Sequence, residues 1–184
     1  MSDKAVLVGR FQPFHQGHRE VVEEYIDEHE LAIAIGSANE EGSEENPLSF
    51  EERKEIIRAC YPEIEVVGLE DFDEDEEGNF RWLKELKENT SAEKVISQNN
   101  LVKRLVREDG ELELVEQDMH EPSIYSGTEV RRRIKSGEEW RYLVPGCAED
   151  RIAEKIEKIK ESGIQYEFEP GWEPKNSYHD TYEK

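Results

Sequence analysis

Ala5-Val-Leu-Val-Gly9-Arg-Phe-Gln-Pro-Phe-His-Gln-Gly-His18 is the stretch on which the fold turns. A short apolar run stops at Gly9. A tight loop then carries Arg10, His15 and His18, and a helical pattern begins near Gly17. A strand, a glycine-punctuated loop and a helix start, in that order, make an anion site. The first N–H groups of a helix have no internal partner, and the helix dipole adds partial positive charge there. Arg10 and the two imidazoles are what a polyphosphate would meet at that point.

Working outward, the spacing of apolar residues predicts alternating strands and helices. Residues 4–8 read as a first strand and 19–29 as a helix striped by Val21, Val22, Tyr25 and Ile26. Residues 31–35 form a continuous apolar run, as in a strand buried on both faces. Ser49-Phe-Glu-Glu52 is a capping box opening a second helix. A third strand is expected at 63–69, an acidic loop at 70–78 and a helix at 80–88. A short strand at 94–97, a helix over 101–106 and a strand at 112–115 follow. Ser126-Gly-Thr-Glu129 reads as another capping box, opening a helix over 130–135 that stops at Gly137. A last amphipathic helix is expected over 148–161.

This alternation predicts an α/β fold with a Rossmann-like parallel sheet flanked by helices, in one domain over 1–165. An irregular tail is expected over 166–184. Ligands of such sheets bind at the carboxyl ends of the strands. Both helix-start motifs are expected at that edge.

The chain has 184 residues, with 46 acidic against 24 basic side chains and a net charge of −22. That balance argues against nucleic acid or an anionic membrane as a partner. Patterned apolar segments argue against disorder. The acid reads as a solvated surface suited to a salt-rich cytoplasm. Cys60 and Cys147 lie far apart, so no disulfide framework is expected. No signal peptide is expected, and no apolar run is long enough to span a bilayer. The reading is a soluble, cytoplasmic protein.

His15 and His18 stand three residues apart around a helix start, with Gly17 between them allowing close backbone approach. Both rings could donate to phosphate oxygens; on spacing alone, an ordinary loop with two histidines fits equally well. Zinc would need further ligands at suitable spacing, which neither cysteine offers. In Tyr125-Ser-Gly-Thr-Glu-Val-Arg131, Ser126 and Thr128 bring hydroxyls to a second helix start and Gly127 keeps the backbone open. Arg131 shares the face of that cap and can grip phosphate in two-pronged fashion. Arg132 and Arg133 read as surface partners of the abundant glutamates.

These two motifs together resemble the nucleotidylyltransferase superfamily, and more closely its archaeal-type nicotinamide-nucleotide adenylyltransferases. Gly36-Ser-Ala38, Asn46-Pro47, Glu52-Arg53, Trp82, Asn99 and Trp140-Arg141 match that family's pattern in order, over about residues 4 to 145. The resemblance implies transfer of AMP from ATP to nicotinamide mononucleotide, or to its nicotinic acid counterpart, giving the dinucleotide and pyrophosphate. It implies Mg²⁺ carried on the phosphates, no metal held by protein side chains, and a homo-oligomer.

Residue by residue, it implies that His15, His18 and Arg131 act on the transition state. Gly9, Arg10, Phe11, Ser126, Gly127 and Thr128 would complete the ATP site. Gly36, Ala38, Trp82 and Asn99 would form the mononucleotide site, with Trp82 stacked on the nicotinamide. Periodicity alone makes Trp82 a core residue. The chain departs from the family at 39–45, where a loop that usually carries histidine and a basic residue reads Asn-Glu-Glu-Gly-Ser-Glu-Glu. It departs again at Gln98, where the family has glycine. Transfer to a pantetheine or flavin phosphate, or non-catalytic nucleotide sensing on the same fold, are the competing readings.

Overall fold

A computed structural model of the chain describes residues 3–116 and 124–164. Five parallel strands, β1 (Lys4–Gly9), β2 (Glu30–Ile35), β3 (Glu65–Gly68), β4 (Lys94–Ser97) and β5 (Glu113–Val115), form one sheet in the order β3-β2-β1-β4-β5. β1 is central, pairing Val6 with Ala32 on one side and with Val95 on the other. Strand order reverses between β1 and β4, and a crevice opens at such a point beyond the carboxyl ends of the strands.

The two-residue period of a strand divides the core. Ala5, Leu7, Leu31, Ile33 and Ile35 face one side, under α1 (Gln16–Tyr25), α2 (Phe50–Cys60), α5 (Gly127–Ser136), α6 (Gly146–Ala153) and α7 (Ile156–Glu161). Val6, Val8, Ala32 and Ala34 face the other, under α3 (Glu76–Thr90) and α4 (Asn100–Asp109). Each face is covered, which is why these strands read as unbroken apolar runs. Among the described residues no helix is long and apolar enough to cross a membrane.

Several sequence expectations shift. α1 begins at Gln16 rather than at 19, because His15 itself is the N-cap. α3 begins at Glu76, inside the stretch read as loop, because Asp75 caps it by accepting from Gly78 N–H at 2.7 Å. The last helix is two, α6 and α7, separated at 154–155. The second capping box is only half made. Ser126 Oγ accepts from Glu129 N–H at 3.1 Å, but the Glu129 carboxylate turns to Arg132 and Arg133. Those two guanidiniums hold the Glu129 carboxyl down at about 2. Cys60 and Cys147 are joined in a disulfide between the end of α2 and the start of α6, with Cα atoms 5.1 Å apart. The expectation of no disulfide framework fails here because a separation of 87 positions hides the packing of those two helices. The tail at 166–184 lies outside the described residues.

Candidate active site

A cavity of about 690 Å³ opens at the crevice between β1 and β4. Gly9, Arg10, His15, Gly17, His18, Gly36, Trp82, Asn99, Ser126 and Gly127 all line it. Four of the expected residues do not. Phe11 is buried, its ring packed on Gly9 and on His18, and serves as a support. Ala38, Thr128 and Arg131 stand behind or beside the wall.

The loop after β1 is held from several directions. The Gln12 amide makes two bonds to the Leu48 backbone, donating to its carbonyl at 2.9 Å and accepting from its N–H at 3.0 Å. The Gln12 carbonyl accepts from Arg131 Nη1 at 2.7 Å, so the first motif is tied directly to the second. Gly127 is required by that contact: a Cβ there would lie 2.9 Å from the Gln12 oxygen. Gly127 also lines the cavity, so its bareness serves both the open face and the neighbouring loop.

His15 and His18 cap α1 reciprocally. His15 Nδ1 accepts from Gly17 N–H at 3.1 Å, and His18 Nδ1 accepts from His15 N–H at 3.2 Å. The rings stack 3.7 Å apart, and a Cβ on Gly17 would strike the His15 ring at 2.9 Å. With each Nδ1 accepting, the ring proton sits on Nε2, which is the donor each ring has left.

Burial pushes the His15 ring down to about 4. Burial first, and His15 beside it second, push His18 well below its ordinary value. The pair is therefore neutral at pH 7, each ring offering its Nε2–H as a donor. The imidazoles add no positive charge to the site at that pH.

A stability consequence follows with a definite sign. The unfolded chain binds a proton at His15 near pH 6.5, the folded chain only near 4. Between those values the unfolded state holds more protons, so acidification favours unfolding. By pH 5 His15 should cost the fold about 2 kcal/mol relative to neutral pH. Urea titrations at pH 7 and pH 5 should show the native chain losing that much more than His15→Asn, which keeps a capping side chain. Equal losses would contradict the assignment.

Positive charge comes from arginines. Arg10 lines the cavity and meets Glu45 at 3.7 Å. Arg131 is half-buried; its burial first and Arg10 second lower its proton affinity, while Glu45 and Glu44 oppose them. The acidic loop thus sits close to both guanidiniums. Arg132 and Arg133 are taken by Glu129, and Arg132 also by Glu138, as expected of surface residues.

At the other end, Trp82 is partly buried against the Val6–Leu86 side of the core and also faces the cavity. Asn99 is the N-cap of α4. Its Oδ1 accepts from Leu101 and Val102 N–H at 2.9 and 3.1 Å, which leaves its amide nitrogen as the donor. Asp71, Phe72, Asp73 and Glu74 line this end too, so part of the acidic segment read as a hydrated loop forms wall. Among the described residues, no group of three or more His, Cys, Asp or Glu is arranged to hold a metal ion.

Arg53 enters the sequence reading only as part of the Glu52-Arg53 match on the second helix, with no role assigned to it. It is fully buried and donates to four backbone carbonyls, those of Ser49, Arg10, Gly36 and Ser37. Burial pushes it down to about 10. Its sequence signals were the Glu52-Arg53 match and its place one turn into a helix that follows a capping serine.

Comparison with known proteins agrees with this geometry. A family model described as cytidylyltransferase-like matches residues 6–133. The nicotinamide-nucleotide adenylyltransferase of Halobacterium salinarum is 37% identical over 153 residues, covering 82% of this chain and 86% of that one. The enzyme of the same name from Archaeoglobus fulgidus is 36% identical over 168 residues, covering 85% and 91%. Among solved structures, a bifunctional NMN adenylyltransferase/ADP-ribose pyrophosphatase from Francisella tularensis superposes with a TM-score of 0.71 at 23% identity. That match covers 88% of this chain and 51% of that one, so this chain spans about half of the bifunctional protein. A second structure of that protein, complexed with AMP and a manganese ion, gives 0.69 at 19% identity. These two likenesses speak to the fold.

Proposed function

The chain belongs to the cytidylyltransferase-like family of nucleotidyltransferases, and on that premise we propose that it transfers AMP from ATP to nicotinamide mononucleotide. The products are NAD and pyrophosphate. The observation that carries the reading is one cavity that joins two helix starts, with their imidazole and hydroxyl groups, to Trp82 and Asn99. A dinucleotide has that division of chemistry, phosphates in the middle and a flat ring at the end.

The reaction needs no nucleophile from the protein. A 5′-phosphate oxygen of the mononucleotide attacks the α-phosphorus of ATP, the bond from that phosphorus to the bridging β-oxygen breaks, and pyrophosphate departs. Charge is stabilised as it spreads over the phosphates, and the two reactants are held in line. His15 and His18 aim Nε2–H donors at the phosphates. The Ser126 and Gly127 backbone at the start of α5 receives the leaving oxygens, with Arg131 and Arg10 supplying charge. Arg131 also fixes the loop that carries the imidazoles. Phe11 acts from behind, Thr128 beside Arg131, and Trp82 stacks on the nicotinamide while Asn99 donates to that half. Gly36 lies against the nucleotides.

Mg²⁺ fits this donor set as a passenger of the triphosphate. The residues around the phosphate end are N–H donors and guanidiniums, whereas Mg²⁺ takes oxygen ligands. When bound to the phosphates it neutralises charge on the leaving group.

The test is an acceptor panel. With ATP and Mg²⁺, nicotinamide mononucleotide should yield NAD and one pyrophosphate for each NAD. Nicotinic acid mononucleotide, phosphopantetheine and flavin mononucleotide run in parallel. Pyrophosphate released with phosphopantetheine or the flavin, and none with nicotinamide mononucleotide, would overturn the assignment. The acidic surface argues for running the panel in high salt as well as low.

A further inference from the structure

A guanidinium cannot shed its proton at any physiological pH, and burying one against neutral groups is costly. Arg53 is 0% exposed. Nε donates to Ser49 O at 3.1 Å, Nη1 to Arg10 O at 3.1 Å and Gly36 O at 2.8 Å, and Nη2 to Ser37 O at 3.0 Å. Among the described residues its partners within bonding distance are carbonyls and none is a carboxylate. A buried ion is weak as a stabilising device, and a well-packed apolar side chain often serves the fold as well. Three of the four share an address: Arg10, Gly36 and Ser37 line the cavity, while Ser49 is the cap of the helix that carries Arg53.

We propose that Arg53 is a positioning residue for the transfer. It clamps the loop after β1 to the loop after β2 from beneath, and its charge, bonded directly to carbonyls and balanced at longer range by Asp71, Glu41 and Glu52, underlies the place where two phosphate esters must meet. The proposal rests on the adenylyl-transfer reading above. A second observation supports the clamp. Ser37 holds a left-handed backbone, φ +48°, which a residue with a Cβ adopts only where its surroundings enforce it. The Arg53 bond to the Ser37 carbonyl and the Ala38 N–H bond to Leu69 O at 2.9 Å bracket that residue.

The fork geometry and the charge can be separated. Arg53→Lys keeps the charge on a narrower group that cannot reach carbonyls spread over three segments. Arg53→Met keeps length and loses both. In Arg53→Met, the KM for ATP should rise about tenfold and kcat should fall about a hundredfold, as for a constellation misplaced by about 1 Å. Arg53→Lys should return the KM for ATP to about threefold of native but leave kcat down by about tenfold or more. Melting temperatures are read on both.

Native kinetics in a folded Arg53→Met would overturn the proposal. So would an Arg53→Lys variant that loses kcat and affinity together, in step with its melting temperature, since that marks a purely structural role. If Arg53→Met does not fold, Arg53→Lys decides alone: depressed kcat with near-native KM supports the role, and native kcat removes it. The native chain runs alongside. Should it make no NAD, the adenylyl-transfer reading falls, and the clamp is then judged by calorimetric ATP binding, weak in Arg53→Met and near native in Arg53→Lys.

Discussion

His18→Ala should lower kcat by about two to three orders of magnitude in a protein that still folds. The His18 ring is held on every side. Its Nδ1 takes the His15 N–H, His15 stacks on it at 3.7 Å, and Phe11 and Phe14 pack at 4.5 and 5.6 Å between ring centres. A donor fixed this firmly reorganises little as charge develops on the phosphates, and donors of that kind are where most electrostatic catalysis resides. The cost to the fold should be about 1 kcal/mol, because only one arm of the α1 cap is lost. His15→Ala/His18→Ala should be hardly worse than the worse single variant, since stacked donors serving one phosphate act as a unit.

The neutral state of the pair adds a second check. kcat/KM reports groups titrating in the free enzyme. With Mg²⁺ saturating, its profile should show no step near pH 6.5 from these rings, because burial has moved both well below that value. A loss under about fivefold in His18→Ala would remove the ring from the chemistry.

The layered fold was legible because its signals are local. β1 and β2 are continuous apolar runs that only a doubly covered strand explains, and Ser49 and Glu52 form the reciprocal cap their spacing promised. Where the reading slipped, an unusual local choice of side-chain partner or a contact from elsewhere in the fold had decided the matter. Imidazole is rarely an N-cap, so the start of α1 at His15 could not be told from a loop. Glu129 had the spacing of a capping box, but two arginines on its own helix drew its carboxylate away. Nothing in the spacing around Arg53 shows that the carbonyls of its own helix cap and of two other loops converge on it. The protonation of His15 and His18 is likewise a property of burial, which no spacing encodes.

The same distinction governs the acidic loops. Residues 39–45 read as a departure in a loop that the family keeps basic, and residues 70–78 only as an acidic loop. Glu45 instead reaches Arg10, and Asp71, Asp73 and Glu74 border the Trp82 end of the cavity. A chain of net charge −22 therefore keeps its phosphate-binding cations few and partly screened by its own carboxylates. Each cation that remains near the phosphates should consequently matter more than it would in a basic site, where neighbours substitute for one another.

Arg131 is where that expectation is sharpest. Its guanidinium donates to the Gln12 carbonyl at 2.7 Å and reaches Thr128 Oγ1 at 3.5 Å, so it couples the start of α5 to the loop after β1 across 119 positions of chain. Arg131→Ala removes a charge from beside the phosphates and the tie that sets the loop. It should lower kcat by about two to three orders of magnitude and raise the KM for ATP by about tenfold. The KM for nicotinamide mononucleotide should move far less, because the grip proposed for that substrate, Trp82 and Asn99, lies elsewhere in the cavity. Arg131→Lys should recover part of the affinity for ATP, since an ammonium supplies charge, but little of kcat, since it lacks the planar fork. Arg132→Ala supplies the contrast. That neighbour is exposed and already bonded to Glu129 and Glu138, so removing it takes nothing from the cavity and should leave turnover within about twofold. Unchanged steady-state kinetics in Arg131→Ala, or equal effects of the two substitutions, would mean that net surface charge rather than this one guanidinium governs how ATP is held.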